Sequence, residues 1–314
     1  MASSRKLVIY AALAGNTLIA FMKFIAASIT GSSAMFSEGI HSVVDTGNQI
    51  LLLYGLKQAK KPADDRFPFG YGKEIYFWSF IVAIMIFAVG AGISIYEGIH
   101  RLLEPAPLKN ILINYIVLTL AMIFEGAAWF FALKEFKQAK GKWGYIEAVQ
   151  RGKDPSLFVV LFEDSAAMLG LVVALLATFL TQLTGNLYLD GIGSIIIGFI
   201  LAGTALWLAF ETKSLLIGES ANIYVVNGIR KLSQTYDKIE HVNEVLTMHM
   251  GPEFILVNIS VEFEDAATAT EIEDTVSKLD AAIKHEYKNV KRIFIEGEAR
   301  KVIRAFDGNF PEII

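Results

Sequence analysis

The chain has no cysteine, which excludes disulfide scaffolds, thiolate zinc sites and cysteine nucleophiles and leaves the redox compartment unread. Charge is scarce as well. Only 19% of the 314 residues are Asp, Glu, Lys or Arg, against a hydrophobic share of 54%, whereas soluble chains carry about 25% charged residues. A mean hydropathy of +0.47 fits that deficit and points to a membrane. Basic excess is missing too: the net charge is -4 and the pI about 5.8, so nucleic acid is not an expected partner.

What charge there is lies unevenly. Up to about residue 212 the chain is apolar, and six stretches qualify for the roughly 20 mostly apolar residues that a transmembrane helix needs. They are Leu7 to Ile29, Ser33 to Leu56, Glu74 to Ile99, Ile111 to Leu133, Leu157 to Leu180 and Leu187 to Phe210. Arg5 and Lys6 precede a first stretch that contains Lys23 and lacks a small-residue cleavage site, so a retained span is expected rather than a signal peptide. Six spans put both termini on one side. Thirteen Lys and Arg residues, from Arg5 to Lys153, fall on that side, and only Arg101 and Lys109 fall on the other. The positive-inside rule then places both termini in the cytoplasm. Because no Arg-rich, acid-poor presequence precedes the first span, a prokaryotic inner membrane is the expected location.

From residue 213 to 314 charges recur throughout. Val245 to Met250, Phe254 to Phe263 and Val290 to Ile295 read as strands, and Val225 to Tyr236 and Thr270 to Tyr287 as helices. The expected architecture is therefore a transmembrane domain over 1–212 and a small αββαβ domain over 213–314. A domain that small is marginal alone, and pairing with a second copy is expected.

Polar residues inside the apolar stretches carry the chemistry. An ionised side chain at bilayer depth costs at least about 2.5 to 3.5 kcal/mol, so it must face protein, water or an ion. Glu38, His41, Asp45 and Gln49 follow one another at three, four and four residues, on one face of the second span. Imidazole and carboxylate at i and i+4 can close on one divalent cation. Glu163 and Asp164 supply acids in the fifth span. Adjacent residues point about 100° apart, so one of them is expected to face the second span; Asp164 is assigned as ligand and Glu163 as a supporting or proton-carrying group. Lys23 is expected to snorkel or to pair with an acid. Glu125, in the fourth span, reads equally as a proton site or a buried hydrogen bond. Asn16 and Asn48 read as interhelical hydrogen-bonding groups, and Asp190 as a carboxylate at a helix N-terminus.

Several of these residues stand in motifs that resemble the cation diffusion facilitator family, over nearly the whole chain. The carriers are Phe36-Ser-Glu-Gly-Ile-His41-Ser-Val-Val-Asp45, Phe69-Gly-Tyr-Gly-Lys73, Asp164 and Asp190-Gly-Ile-Gly. Asp154-Pro-Ser-Leu-Phe-Val-Val-Leu-Phe-Glu-Asp164 and Ser37-Glu-Gly-Ile-His-Ser are similar to the zinc-transporter-nine-like subgroup. The resemblance implies a six-helix metal/proton antiporter, a homodimer with a cytoplasmic ferredoxin-like domain, and an intramembrane site at His41, Asp45 and Asp164. The family's fourth ligand position falls on Val160, which binds no metal and leaves that place to water, Glu38 or Glu163. Zinc is the implied cargo, while manganese, iron and cobalt suit the same donors. A second family site meets Asp64, Phe67 and Tyr71, where no metal is expected. A third meets Asn243, Ile295 and Gly297, with His241, His249, His285, Glu296 and Glu298 nearby in sequence.

Neutral imidazole and ionised carboxylate bind a metal only after losing protons, so the two cargoes compete. His41, with an ordinary pKa of about 6.5, is the natural exchanger. The rival readings are a membrane-embedded metalloenzyme, which the lack of a His-Glu-x-x-His motif or a serine/histidine arrangement disfavours, and a metal sensor that binds without transport. A secondary transporter, not an enzyme, is the expectation.

Overall fold

The structure, a computed structural model, describes residues 2–140, 144, 145, 148 and 155–299; Lys142, Arg151, Lys153 and Asp154 lie outside them. Two compact units divide at Ile217/Gly218, because the last long helix continues five residues past the boundary read from composition.

The first unit is helical: α1 (Ala2–Thr30), α2 (Ser33–Ala59), α3 (Glu74–Met85), α4 (Gly92–Leu103), α5 (Ile111–Lys140), α6 (Pro155–Thr184) and α7 (Tyr188–Ile217). A π-helical segment, Ile86–Ala91, joins α3 to α4 into one rod over Glu74–Leu103. Among the described residues four helical stretches are long and apolar enough to cross a membrane: Glu74–Leu103, Ile111–Gln138, Phe158–Thr184 and Tyr188–Ile217. Asn16–Thr30 is a shorter apolar stretch, and α2 is diluted by its polar face.

Helix ends follow local chemistry. Ser32 caps α2 by accepting from the Met35 N–H, and Gly31 turns the chain at φ 69°, a conformation glycine adopts without strain. The fifth span is longer than expected: Thr181 to Thr184 continue α6, and Gly185, at φ 69°, stops it.

Inside the unit α2 packs on α1, α3, α6 and α7. Small residues let α4 and α7 approach backbone to backbone. A Cβ on Gly98 would lie 2.7 Å from the Gly191 carbonyl oxygen, and one on Gly198 would lie 3.2 Å from the Ala91 carbonyl oxygen. Asp190 completes this end of the bundle. Its carboxylate accepts from Ser32 Oγ at 2.6 Å, Ser33 N at 2.6 Å and Ser33 Oγ at 3.0 Å, with Arg101 Nε at 3.5 Å. The helix N-terminus that it serves is thus that of α2, in addition to its place in the first turn of α7.

The second unit runs α8 (Ile223–Ser233), β1 (Ile239–Gly251), β2 (Phe254–Phe263), α9 (Ala269–Glu286) and β3 (Val290–Gly297). The sheet order is β1-β2-β3, with β1 antiparallel and β3 parallel to β2. Alternation in β2 puts Ile255, Val257, Ile259 and Val261 in a core with Ile229, Leu279 and Ile283 from the helices. β1 starts at Ile239, six residues before the expected strand. Register shifts between Ile239 and His241 and between Val242 and Glu244 hide its period. Thr268 and Glu271 form a capping box at the start of α9.

Candidate functional site

Buried positions on α2 recur as Ser37, Glu38, His41, Ser42, Asn48, Leu52 and Gly55, so the polar row faces protein. On α6 the buried side carries Val159, Glu163, Ala166, Ala174 and Ala177. These faces meet α1 and α5 around a small cleft lined by Asn16, Ser42, Asp45, Gln49, Glu125, Val160, Glu163 and Asp164, together with Ile19, Ala128 and Ala167. Four carboxylates line it, and no Lys or Arg does.

Asp45 and Asp164 therefore share one cleft. His41 is 1% exposed and lies behind the lining, with Nδ1 3.4 Å from Asp45 Oδ1. Neither of its ring nitrogens has a hydrogen-bond partner among the described residues. As they stand, no three His, Asp or Glu side chains among the described residues are grouped to hold one metal ion.

The two acids of α6 divide their work differently from the expectation. Glu163 is the one in contact with α2: it accepts from Asn48 Nδ2 at 2.5 Å, and its carboxyl shares the cleft with that of Asp45. Asp164, about 100° round the helix, lies in the cleft within electrostatic reach of Glu125. The signal for this lay in phase: Glu163 recurs with Ala166, Gly170, Ala174 and Ala177 at helical spacing, a seam of small residues that packs inward. Ser42 was also missed, although it stands four residues after Glu38 and three before Asp45, on the same face.

Lys23 does pair with acids. It is fully buried and binds Glu38 Oε2 at 3.0 Å and Glu125 Oε1 at 2.7 Å. Glu38 is therefore turned toward α1 and is not among the cleft residues. Gln49 is, and Asn48 joins α2 to α6 as expected of an interhelical group.

Outside the spans, Asp64 accepts from the N–H groups of Arg66 at 3.0 Å and Phe67 at 2.7 Å and from the Tyr71 hydroxyl at 2.7 Å. The Tyr71 bond, with those amides, holds its carboxyl below the ordinary 3.8. In the second unit Asn243 donates to Ser260 Oγ at 3.2 Å, and Ser260 donates to Glu298 Oε2 at 2.5 Å. Glu296 accepts from Asn258 Nδ2 at 3.3 Å. Ile295 packs against the core, His249 is buried, and His241 is half-buried while His285 is exposed.

The cleft lies in a bundle of apolar helices, and residues 9–217 match the cation efflux transmembrane domain, which makes the protein a membrane carrier for cations. The chain belongs to that family, the cation diffusion facilitators, near the zinc-transporter-nine-like subgroup. It is 35% identical over 259 residues to the proton-coupled zinc antiporter SLC30A9, mitochondrial, of Xenopus laevis, covering 82% of this chain and 46% of the relative. The human counterpart is 34% identical over 260 residues, with the same coverage. This chain thus spans less than half the length of those relatives. The manganese efflux system protein MneP of Bacillus subtilis is 24% identical over 302 residues, 93% of this chain and 95% of that protein. The family is one of multi-pass membrane transporters, not of enzymes.

Proposed function

We propose that the protein exports a divalent cation, zinc in the first place, in exchange for protons. The observation that carries this reading is the shared cleft: Asp45 from α2 and Asp164 from α6 line one buried, acid-rich space, with His41 beside Asp45. A divalent ion leaving water must regain its ligand bonds there, and imidazole and carboxylate provide them once deprotonated. Protons and metal therefore compete for the same atoms. Alternating access follows if the helices around the cleft rock between two arrangements and the metal-free site returns only when protonated. His41 then enters the coordination sphere by a side-chain rotation, from its place one turn before Asp45.

Six spans complete the carrier, with α1 and α2 the two whose polar faces line the transport path. The bias of Lys and Arg supports an orientation with both termini cytoplasmic. Similarity along nearly all of MneP, a Bacillus subtilis protein, fits a prokaryotic membrane, whereas the relatives of higher identity from Xenopus laevis and human are named as mitochondrial. The αββαβ order fits a ferredoxin-like cytoplasmic domain, and the small size of that unit fits a role in holding two subunits together and regulating transport. Manganese is the second cargo reading, favoured by the name of MneP and by the carboxylate-rich lining; iron and cobalt would use the same donors.

Proteoliposomes loaded with a zinc-sensitive dye and given a pH gradient test the proposal. Zinc uptake should depend on the gradient and vanish in His41→Ala and Asp45→Ala. Uptake unchanged in both variants would defeat it.

A further inference from the structure

An ammonium has three N–H donors, and Lys23 uses all of them: Glu38 Oε2 accepts at 3.0 Å, Ser42 Oγ at 2.8 Å and Glu125 Oε1 at 2.7 Å. One cation would balance one carboxylate, yet Lys23 faces two. A buried carboxylate left without a compensating charge is costly, so the surplus is met by a proton or by a second cation, the two cargoes of the proposed exchange. The geometry decides where that cation would sit. Each acid keeps one oxygen, Glu38 Oε1 and Glu125 Oε2, that is buried and has no hydrogen-bond partner among the described residues. Glu38 Oε1 is pressed against Gly170 of α6, where any side chain would collide with it. Glu125 instead lines the cleft, within electrostatic reach of Asp45 and Asp164.

We propose that Glu125 is a further ligand of the transported cation, contributed by α5 through Oε2, and that Lys23 is the positioning residue that holds it by Oε1. This rests on the metal-carrier reading above and fills the place that Val160 leaves without a donor. It also gives α1 a part in the site without a ligand of its own. Lys23 keeps one Glu125 oxygen occupied and so presents the other to the metal.

Two double variants separate this role from a merely structural triad, because each removes one cation and one acid and so keeps the net charge. Zinc binding by the full chain in nanodiscs, measured by calorimetry, should weaken about tenfold or more in K23M/E125Q, as it should in E125Q, and by less in K23M/E38Q, which loses the positioning residue but keeps the ligand. Equal zinc affinity in the two doubles would overturn the assignment. D45N distinguishes the two claims: zinc binding unchanged in D45N would sink the carrier reading, whereas loss in D45N alone would sink only the role of Glu125. A measurement on the unaltered protein avoids any folding defect. Dicyclohexylcarbodiimide labelling, read by peptide mass spectrometry, should modify Glu125 markedly more slowly with zinc present. A rate indifferent to zinc would overturn the proposal.

Discussion

Asn48 on α2 donates its side-chain amide to the Glu163 carboxylate on α6 at 2.5 Å, with both residues buried. This bond fastens together the two helices that carry Asp45 and Asp164. Asn48→Ala should strand a buried carboxylate oxygen and lower stability by about 1–3 kcal/mol. The melting temperature of the detergent-solubilised protein should fall accordingly, and Asn48→Asp, which sets like charges together, should lower it further.

Val160 stands one turn before Asp164 and lines the cleft. Val160→His would place an imidazole at i, i+4 with that carboxylate. Imidazole suits zinc better than manganese, so the ratio of manganese to zinc dissociation constants should rise by about tenfold, or about 1.4 kcal/mol. Calorimetric titration with each metal reads the ratio; an unchanged ratio would place residue 160 outside the coordination sphere.

Asp190 holds Ser32, Ser33 and Arg101 at once. Asp190→Ala leaves a largely buried guanidinium without its partner, a change that costs about 3–5 kcal/mol. Thermal unfolding should report that loss, and a smaller one for Asp190→Asn, which still accepts from the serines.

In the second unit Glu271 accepts from the Thr268 backbone N–H and hydroxyl and pairs with Lys238. Those contacts, the Thr268 amide first, hold its carboxyl below the ordinary 4.5. A depressed value stabilises the fold fully above 4.5, and the contribution is lost as pH falls through the folded value. Hydrogen-exchange protection in the first turn of α9, taken relative to the intrinsic rate at each pH, should therefore fall on acidification below pH 4.5, and Glu271→Gln should flatten that dependence.

Much of this was legible in the chain. Apolar stretches gave the long helices, since lipid leaves the backbone no other way to satisfy its hydrogen bonds, although α5 and α7 each run seven residues past the expected ends, Leu133 and Phe210. Spacing gave the polar face of α2, because positions 38, 41, 45 and 49 share a face whatever the helix packs against. The rotation of α6 was not given by Glu163 and Asp164 themselves: one residue is about 100°, and the choice is made by the seam of Ala166, Gly170, Ala174 and Ala177. The partner of Lys23 was equally hidden. Glu125 lies 102 residues away, and no local pattern links the two. In β1 the irregular register removed the alternation on which the strand reading relies.

The glycine contacts between α4 and α7 constrain any opening of the cleft. Two rods meeting this closely, with Ile95 and Ile195 wedged against the glycines of the facing helix, have little freedom to slide and travel as a single lever. Motion must then be taken up along the seams where larger side chains interleave, and a bulky residue introduced at Gly98 should jam the carrier as well as unsettle its packing.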